Sequence, residues 1–266
     1  TRGCPHNCSF CSVSTFNGRR FRHRPVEKII EEVSRCRSRM IGFLDDNIVG
    51  NPKYSKELFR ALIPLKKKWV SQGTVKMAED EELISLAQKC GCICLFVGFE
   101  SVNEMNLKEM HKQFNPIEKY QKLIENFHRH HIMVVGSFVF GFDNDDISVF
   151  DNTLKFIEDT KIDFATFNIL TPLPGTEVYE KFKDTNRIFS YNWTNYDFSH
   201  VVYQPAKMTP QELQFEHNEL YRKFYTLPKI MKRALWNWRY LGYFLPASLY
   251  YNWVSRNPHQ LPNLHD

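Results

Sequence analysis

The 266 residues include 42% hydrophobic side chains and a formal charge of +5, from 35 Lys and Arg against 30 Asp and Glu. That is enough apolar material for one large domain or a domain plus an extension, and too mild a charge to mark a polyanion binder by itself. There is no run of eighteen uncharged apolar residues and no readable signal peptide, which argues against a membrane-spanning segment; seven cysteines suit a reducing cytoplasm.

In chain order, the first feature is Cys4, Cys8 and Cys11, spaced C-x3-C-x2-C on a short loop. Three thiolates from one loop suit an iron-sulfur cluster whose fourth iron stays open to another molecule. Structural zinc with His6 nearby and plain unligated thiols remain alternatives, whereas the odd local count disfavours a disulfide. Next come Arg19, Arg20, Arg22, His23 and Arg24. They read as a solvated loop, a counter-charge to thiolates or a dock for an acidic electron-transfer protein, ahead of a nucleic-acid contact, for which no module is present. Pro25 opens a helix, PVEKIIEEVSRCRSR, with Val26, Ile29, Ile30 and Val33 on one face and Cys36 near its end as a small core residue.

A strand is expected at MIGFLDD, then a helical stretch from Pro52 to Val70 broken at Pro64 and ended by Gly73. TVKMAE reads as the next strand, with Asp80 capping the helix DEELISLAQKC. Strand CICLFVGFE, a helix over 115–131, strand IMVVGSFVFG, a helix over 145–160 and strand FATFNILT complete the series. Crossovers of this length make the strands parallel and right-handed, in a barrel or an open curved sheet, with functional groups at the carboxyl ends of the strands. Asp45, Asp46 and Asn47, then Glu79 and Asp80, then Glu100 and Ser101 stand at three such ends. Each also has a local role open to it, as cap, turn former or solvated acid.

Cys90, Cys92 and Cys94 read as core cysteines, and His128, His130 and His131 as favourable charge at a helix end. Pro172, Pro174 and Gly175 stiffen the loop after the last strand, and Thr176 can cap the next helix. Beyond Phe182 the chain becomes aromatic and polar, with a capping box at Thr209 and Glu212. The stretch from Ala234 to Val254 is rich in Trp and Tyr and flanked by Lys229, Lys232, Arg233 and Arg256; it suits packing against protein, with contact at a membrane interface as the open alternative.

GCPHNCSFC, including Phe10 before the third cysteine, resembles the signature loop of the radical S-adenosylmethionine (SAM) superfamily. FLDDN, MAED, VGFES, FVFGF and LTPLPGT follow in the order of that family's strands, so the resemblance covers Thr1 to Phe182. It implies an α/β fold, a partial (β/α)6 TIM-like barrel over residues 1–182 whose first strand is missing from a fragment beginning at Thr1, with a mainly helical extension over 183–266. The resemblance implies that Cys4, Cys8 and Cys11 hold a [4Fe-4S] cluster, which reduces bound SAM to methionine and a 5'-deoxyadenosyl radical that abstracts a substrate hydrogen. Phe10 would approach adenine, Asp45 and Asp46 the methionine amino group, Glu79 the ribose hydroxyls, and Glu100 another part of SAM. Lys112 would pair with its carboxylate, and Ser137 and Gly141 lie beside ribose and adenine. The second-strand motif is not the family's usual G-G-E, and Ser137 replaces an acid seen in some relatives. The extension resembles that of members with an N-terminal cobalamin domain, hopanoid methylases among them, which implies methylation of an unactivated carbon of a lipid-like organic substrate. The D-x-H-x-x-G cobalamin ligand motif is not in this chain. The alternative is a non-enzymatic cluster or zinc protein that binds a partner or a membrane surface.

Overall fold

A computed structural model describes residues 1–18, 20–113 and 117–257. Five parallel strands lie in sequential order: β1 (Met40–Gly42), β2 (Lys68–Gly73), β3 (Cys92–Glu100), β4 (Met133–Phe140) and β5 (Phe164–Ile169). Helices α2 (Val26–Arg35), α3 (Pro52–Leu62), α4 (Glu81–Lys89), α6 (Tyr120–Arg129) and α7 (Ser148–Thr160) connect or flank them, with two short helices, α1 (Ser12–Asn17) and α5 (Glu104–Glu109), near the strand ends. This is the partial TIM-like barrel that strand-helix alternation dictates, because parallel neighbours need a crossover and the crossover is a helix.

Alternation along the strands sorts the two faces. Leu95, Val97 and Phe99 of β3, Val134 and Phe138 of β4, and Ala165 and Phe167 of β5 are sealed against the helices, where Phe99 meets Tyr120 edge-on at 4.9 Å and Phe140 stacks on Phe150 at 4.8 Å. The opposite face carries Gly98, Ser137 and Thr166, which are register partners across β3, β4 and β5. That face is less apolar and only partly covered.

Helix caps follow the sequence. Asp80 accepts from the Leu83 N–H at 3.0 Å, Thr176 caps α8 (Glu177–Asp184) through the Tyr179 N–H at 3.2 Å, and Thr209 and Glu212 form the reciprocal box of α9 (Pro210–Phe224). Cys90, Cys92 and Cys94 are buried. Three expectations are corrected. The second strand is KWVSQG and the helix before it stops at Leu62, since Trp69 is the fully buried anchor packed on Phe59 and Phe43. TVKMAE is instead a 3-10 segment, Val75–Glu79, whose Val75, Met77 and Ala78 are buried; apolar spacing there comes from wedging a turn rather than from a pleat. Cys36 is exposed just past the end of α2, not in the core. Arg19, Asn115 and Pro116 lie outside the described residues, so the helix expected over 115–131 is seen as a 3-10 turn at Ile117–Lys119 followed by α6.

Of the carboxy-terminal helices, α9 meets β5 at its outer edge, α11 (Leu241–Arg256) packs on α9 and sets Phe244 against Phe164, and α10 (Leu227–Trp236) packs on α11. There the Tyr225 hydroxyl donates to the Ala165 carbonyl at 2.9 Å and accepts from its N–H at 3.2 Å. Tyr221 does the same for Phe167, at 3.1 and 3.0 Å, and the Ile169 N–H goes to the Phe198 carbonyl at 2.7 Å. Tyrosines one helical turn apart thus satisfy alternate residues of an edge strand that would otherwise present bare backbone groups.

Candidate cofactor site at the strand ends

The cysteine loop lies across the carboxyl ends of the strands and is tied to several of them. Its base is closed by a two-residue antiparallel bridge between Arg2 and Arg22, with both N–H to O distances 2.9 Å. After β1, the Asp46 carboxylate accepts from the Gly3 N–H at 2.6 Å, Asn47 Nδ2 reaches Cys4 Sγ at 3.8 Å, and Asp45 accepts from the Thr1 hydroxyl. After α5, the Met110 carbonyl accepts from the Ser9 N–H at 3.2 Å; at the start of α8 the Val178 N–H donates to the Ser9 carbonyl, also at 3.2 Å. Thr15 Oγ1 donates to the Gly175 carbonyl at 3.1 Å, and Phe10 meets Phe142 edge-on at 6.1 Å in the loop after β4. Gly3, at φ +86°, sits so close to the Arg20 carbonyl that a side chain has no room.

Cys4, Cys8 and Cys11 are unpaired and half-buried. Burial pushes the Cys8 thiol up to about 12; the Lys112 ammonium pulls against this, while Glu100 and the other two thiols add to it. Cys11 is raised as well, again chiefly by burial. Cys8 and Cys11 therefore stay protonated until a strongly positive group displaces their protons, as a bound metal does. Among the described residues no three His, Cys, Asp or Glu side chains gather at a single-ion site. A cluster does not require that, because each thiolate binds its own iron at a separate corner. The donor set therefore fits an iron-sulfur cluster.

Beside the thiols lies a buried ion pair, Lys112 Nζ to Glu100 Oε1 at 2.5 Å, with 9% and 10% of the two side chains exposed. Glu100 stands at a bulge ending β3, in the left-handed region at φ 66°, which a glutamate adopts at a cost of about 1–2 kcal/mol. His111, at φ 58° just past the end of α5, turns the chain back so that the Lys112 N–H donates to the Leu107 carbonyl at 2.7 Å. Gly98 leaves space for the pair: a Cβ there would sit 2.8 Å from Lys112 Nζ. The His6 pKa is lowered, first by burial and then by Lys112 and Lys76.

Ser137 is buried, and Asn168 Nδ2 donates to its hydroxyl at 3.1 Å and to the Phe138 carbonyl at 3.1 Å. Next to it Thr166 Oγ1 is a buried polar atom with no protein partner. Gly141, at φ +101°, lets the Tyr203 hydroxyl reach its carbonyl at 2.6 Å. Its N–H and that of Phe142 donate to one oxygen of Asp145, at 2.9 and 3.1 Å, while Asn106 Nδ2 donates to the other at 2.5 Å. Burial raises Asp145 to about 6 against the pull of those three donors. Asp145, Asn106, Asn168 and Tyr203 were not singled out from sequence. Asp145 read as a helix start, and only the backward hydrogen bonds reveal that it shapes the loop before that helix.

The structure gathers Phe10, Asp45, Asp46, Glu100, Lys112, Ser137 and Gly141 around the thiol loop and strand ends. Glu79 is exposed and lies 3.7 Å from Lys119 Nζ, and Asp80 caps α4 and pairs with Lys56 at 2.8 Å.

A family model described as the radical SAM superfamily matches residues 1–157, more than half of the chain. The chain is 36% identical over 239 residues to bacteriochlorophyllide d C-12(1)-methyltransferase of Chlorobaculum tepidum, covering 88% of this chain and 52% of that protein. It is 29% identical over 196 residues to hopanoid C-2 methylase of Rhodopseudomonas palustris, covering 70% and 37% respectively. The chain thus spans about half, or less, of the length of these relatives. Its fold is similar to that of the radical SAM methyltransferase TsrM from Kitasatospora setae, solved with cobalamin and a [4Fe-4S] cluster: TM-score 0.63, 15% identity, 69% of this chain and 38% of that one.

Proposed function

This chain belongs to the radical SAM superfamily, and from that premise we propose that it cleaves SAM reductively to start a radical modification of an apolar organic substrate. Cobalamin-dependent methylation of an unactivated carbon is the reaction class we favour. The observation that carries the reading is the trio of free thiols tied across the strand ends beside a buried Glu100–Lys112 pair. When bound, a [4Fe-4S] cluster supplies the electron that splits SAM into methionine and a 5'-deoxyadenosyl radical.

The chain's own residues bind, orient and exclude water. Cys4, Cys8 and Cys11 hold the cluster. Glu100 and Lys112 offer a carboxylate and an ammonium to the amino-acid end of SAM, and their mutual pairing holds both in place until the ligand arrives. Ser137 and Gly141 line the ribose and adenine side, with Phe10 against the adenine face. Asp45, which accepts from Thr1, and Asp46, which accepts from the Gly3 N–H, both anchor the start of the loop on the side proposed for the methionine amino group. Residues 183–266 would wall the substrate side. Names of the relatives support a bulky apolar substrate, since a bacteriochlorophyllide and a hopanoid share little else. Cobalamin would come with the part of such proteins that this chain does not span. Exposed Arg20, Arg22, His23 and Arg24, with Phe16 protruding nearby, suit an acidic electron-transfer protein.

Anaerobic reconstitution with iron and sulfide tests the reading. The expected result is about four irons per chain, reductant-dependent release of methionine and 5'-deoxyadenosine, and loss of both in Cys8→Ser. One equivalent of zinc with no iron uptake would instead favour the non-enzymatic alternative.

A further inference from the structure

The opposite end of the molecule carries features that the SAM site does not use. At the amino ends of β4 and β5 a cleft of about 810 Å³ opens between the ends of α6 and α7 and the turn joining α10 to α11. Lys122, Arg129, His131, Lys161 and Arg239 line it. Its acids are Glu125 and Asp163, and Asp163 is buried and already engaged by the Val134 N–H at 2.7 Å, by His128 at 3.0 Å and by Asn237 at 2.8 Å. The cleft therefore offers net positive charge to solvent.

The turn that lines this cleft also joins two helices whose outward faces are apolar. On α10, Leu227, Met231 and Leu235 recur every fourth residue, so they form one stripe; all three are exposed, Leu235 at 77%. Trp238 in the turn is 70% exposed. Helix α11 has no charged residue before Arg256, and Tyr243, Leu249, Tyr250 and Trp253 stand exposed on it. No acidic residue occurs between Glu219 and Asp266, while Lys232, Arg239 and Arg256 stand exposed in that interval; Lys229 there is paired with Glu158 at 2.6 Å and Arg233 is buried over Phe224.

Trp and Tyr with cations and without acids match the headgroup zone of an anionic bilayer, where the rings enter the acyl boundary and the cations meet phosphate. Exposed Trp and Tyr alone would equally suit a protein interface, but cations without acids beside them answer a continuous sheet of phosphates. No helix among the described residues is long and apolar enough to span, so the contact lies in the interface plane. We propose that the α10–α11 face docks on an anionic lipid surface, with the basic cleft at the Trp238–Tyr240 turn seating a lipid headgroup phosphate. Nothing in this contact depends on the cluster. It would bring an apolar substrate to the enzyme from the phase in which that substrate dissolves.

The test is cosedimentation of the full reconstituted chain with vesicles of phosphatidylcholine plus phosphatidylglycerol, against phosphatidylcholine alone. Expected are preferential binding to the anionic vesicles, weakened by salt, and a blue shift of tryptophan emission. Arg239→Ala should weaken binding about fivefold, as removal of one interfacial cation does. Trp238→Ser with Leu235→Ser should weaken it about tenfold or more while leaving the unfolding midpoint unchanged, since the two side chains belong to residues 70% and 77% exposed. Equal sedimentation with and without vesicles would overturn the proposal, as would a double variant that binds undiminished. Self-association through this face in the absence of lipid, or full competition by free glycerol phosphate, would also overturn it, by assigning the face to a second copy or the cleft to a soluble anion. SAM cleavage measured on the same preparation separates failure here from failure of the radical chemistry.

Discussion

The Glu100–Lys112 pair gives the sharpest test of the site, because its stability role and its proposed ligand role predict different things. With nine-tenths of each side chain withdrawn from water, Lys112→Met leaves Glu100 as a buried, unanswered carboxylate. Breaking a buried pair from one side costs about 3–5 kcal/mol, a fifth or more of the stability of an ordinary domain. Glu100→Gln strands the ammonium instead, and the longer, flexible lysine escapes toward solvent more easily, so its loss is smaller. The double variant removes both charges and should recover most of the loss, giving a coupling of about 2 kcal/mol or more. Urea unfolding of the four proteins, followed by circular dichroism, measures this. SAM affinity of the reconstituted double variant then reads the second role, and a drop of about tenfold or more in a protein of near-normal stability is expected for lost charge-assisted contacts. If Lys112→Met unfolds within about 0.5 kcal/mol of the parent, the pair is not the buried element described. If the stable double variant binds SAM normally, its ligand role fails.

Tyr225→Phe should cost about 2–4 kcal/mol in thermal unfolding, since one hydroxyl serves both the N–H and the carbonyl of buried Ala165. Tyr221→Phe, at a site water can reach, should cost less. Asp145 binds a proton in the folded state up to about pH 6 but releases it near 3.8 when unfolded. Its contribution therefore lowers stability as pH rises through that interval, by about 3 kcal/mol in all, and Asp145→Asn should flatten the dependence in urea titrations at successive pH values. For His128, burial works against protonation, but the Asp163 contact prevails and raises the pKa. That stabilisation is complete below the ordinary value of 6.5 and fades as pH climbs through the raised one. His128→Gln should erase this slope on the alkaline side.

Much of the scaffold was legible along the chain. β3, β4 and β5 are long apolar runs bounded by turns, so their positions follow from composition alone, and the Thr209–Glu212 cap is a contact between near neighbours. The cysteine spacing is likewise a local feature, and the cluster we propose for it rests on near neighbours. β2 was misplaced because its anchor, Trp69, is buried by Phe59 and Phe43 from other elements, while TVKMAE imitates alternation with residues that wedge beneath a turn.

What only the tertiary structure decided is which groups face one another. Nothing near Lys112 in sequence directs it to Glu100; two left-handed residues, Glu100 and His111, and the absent side chain of Gly98 bring them together. Nor does the sequence reveal that Ser9 is held by Met110 on one side and Val178 on the other. Local pattern determined the elements and the clustering of the three thiols, since those depend on neighbours within a turn or a strand. The fit of the thiol loop over the strand ends and the tyrosine seal on β5 depend on chain closure over long separations, where the curvature of the whole sheet decides the partner.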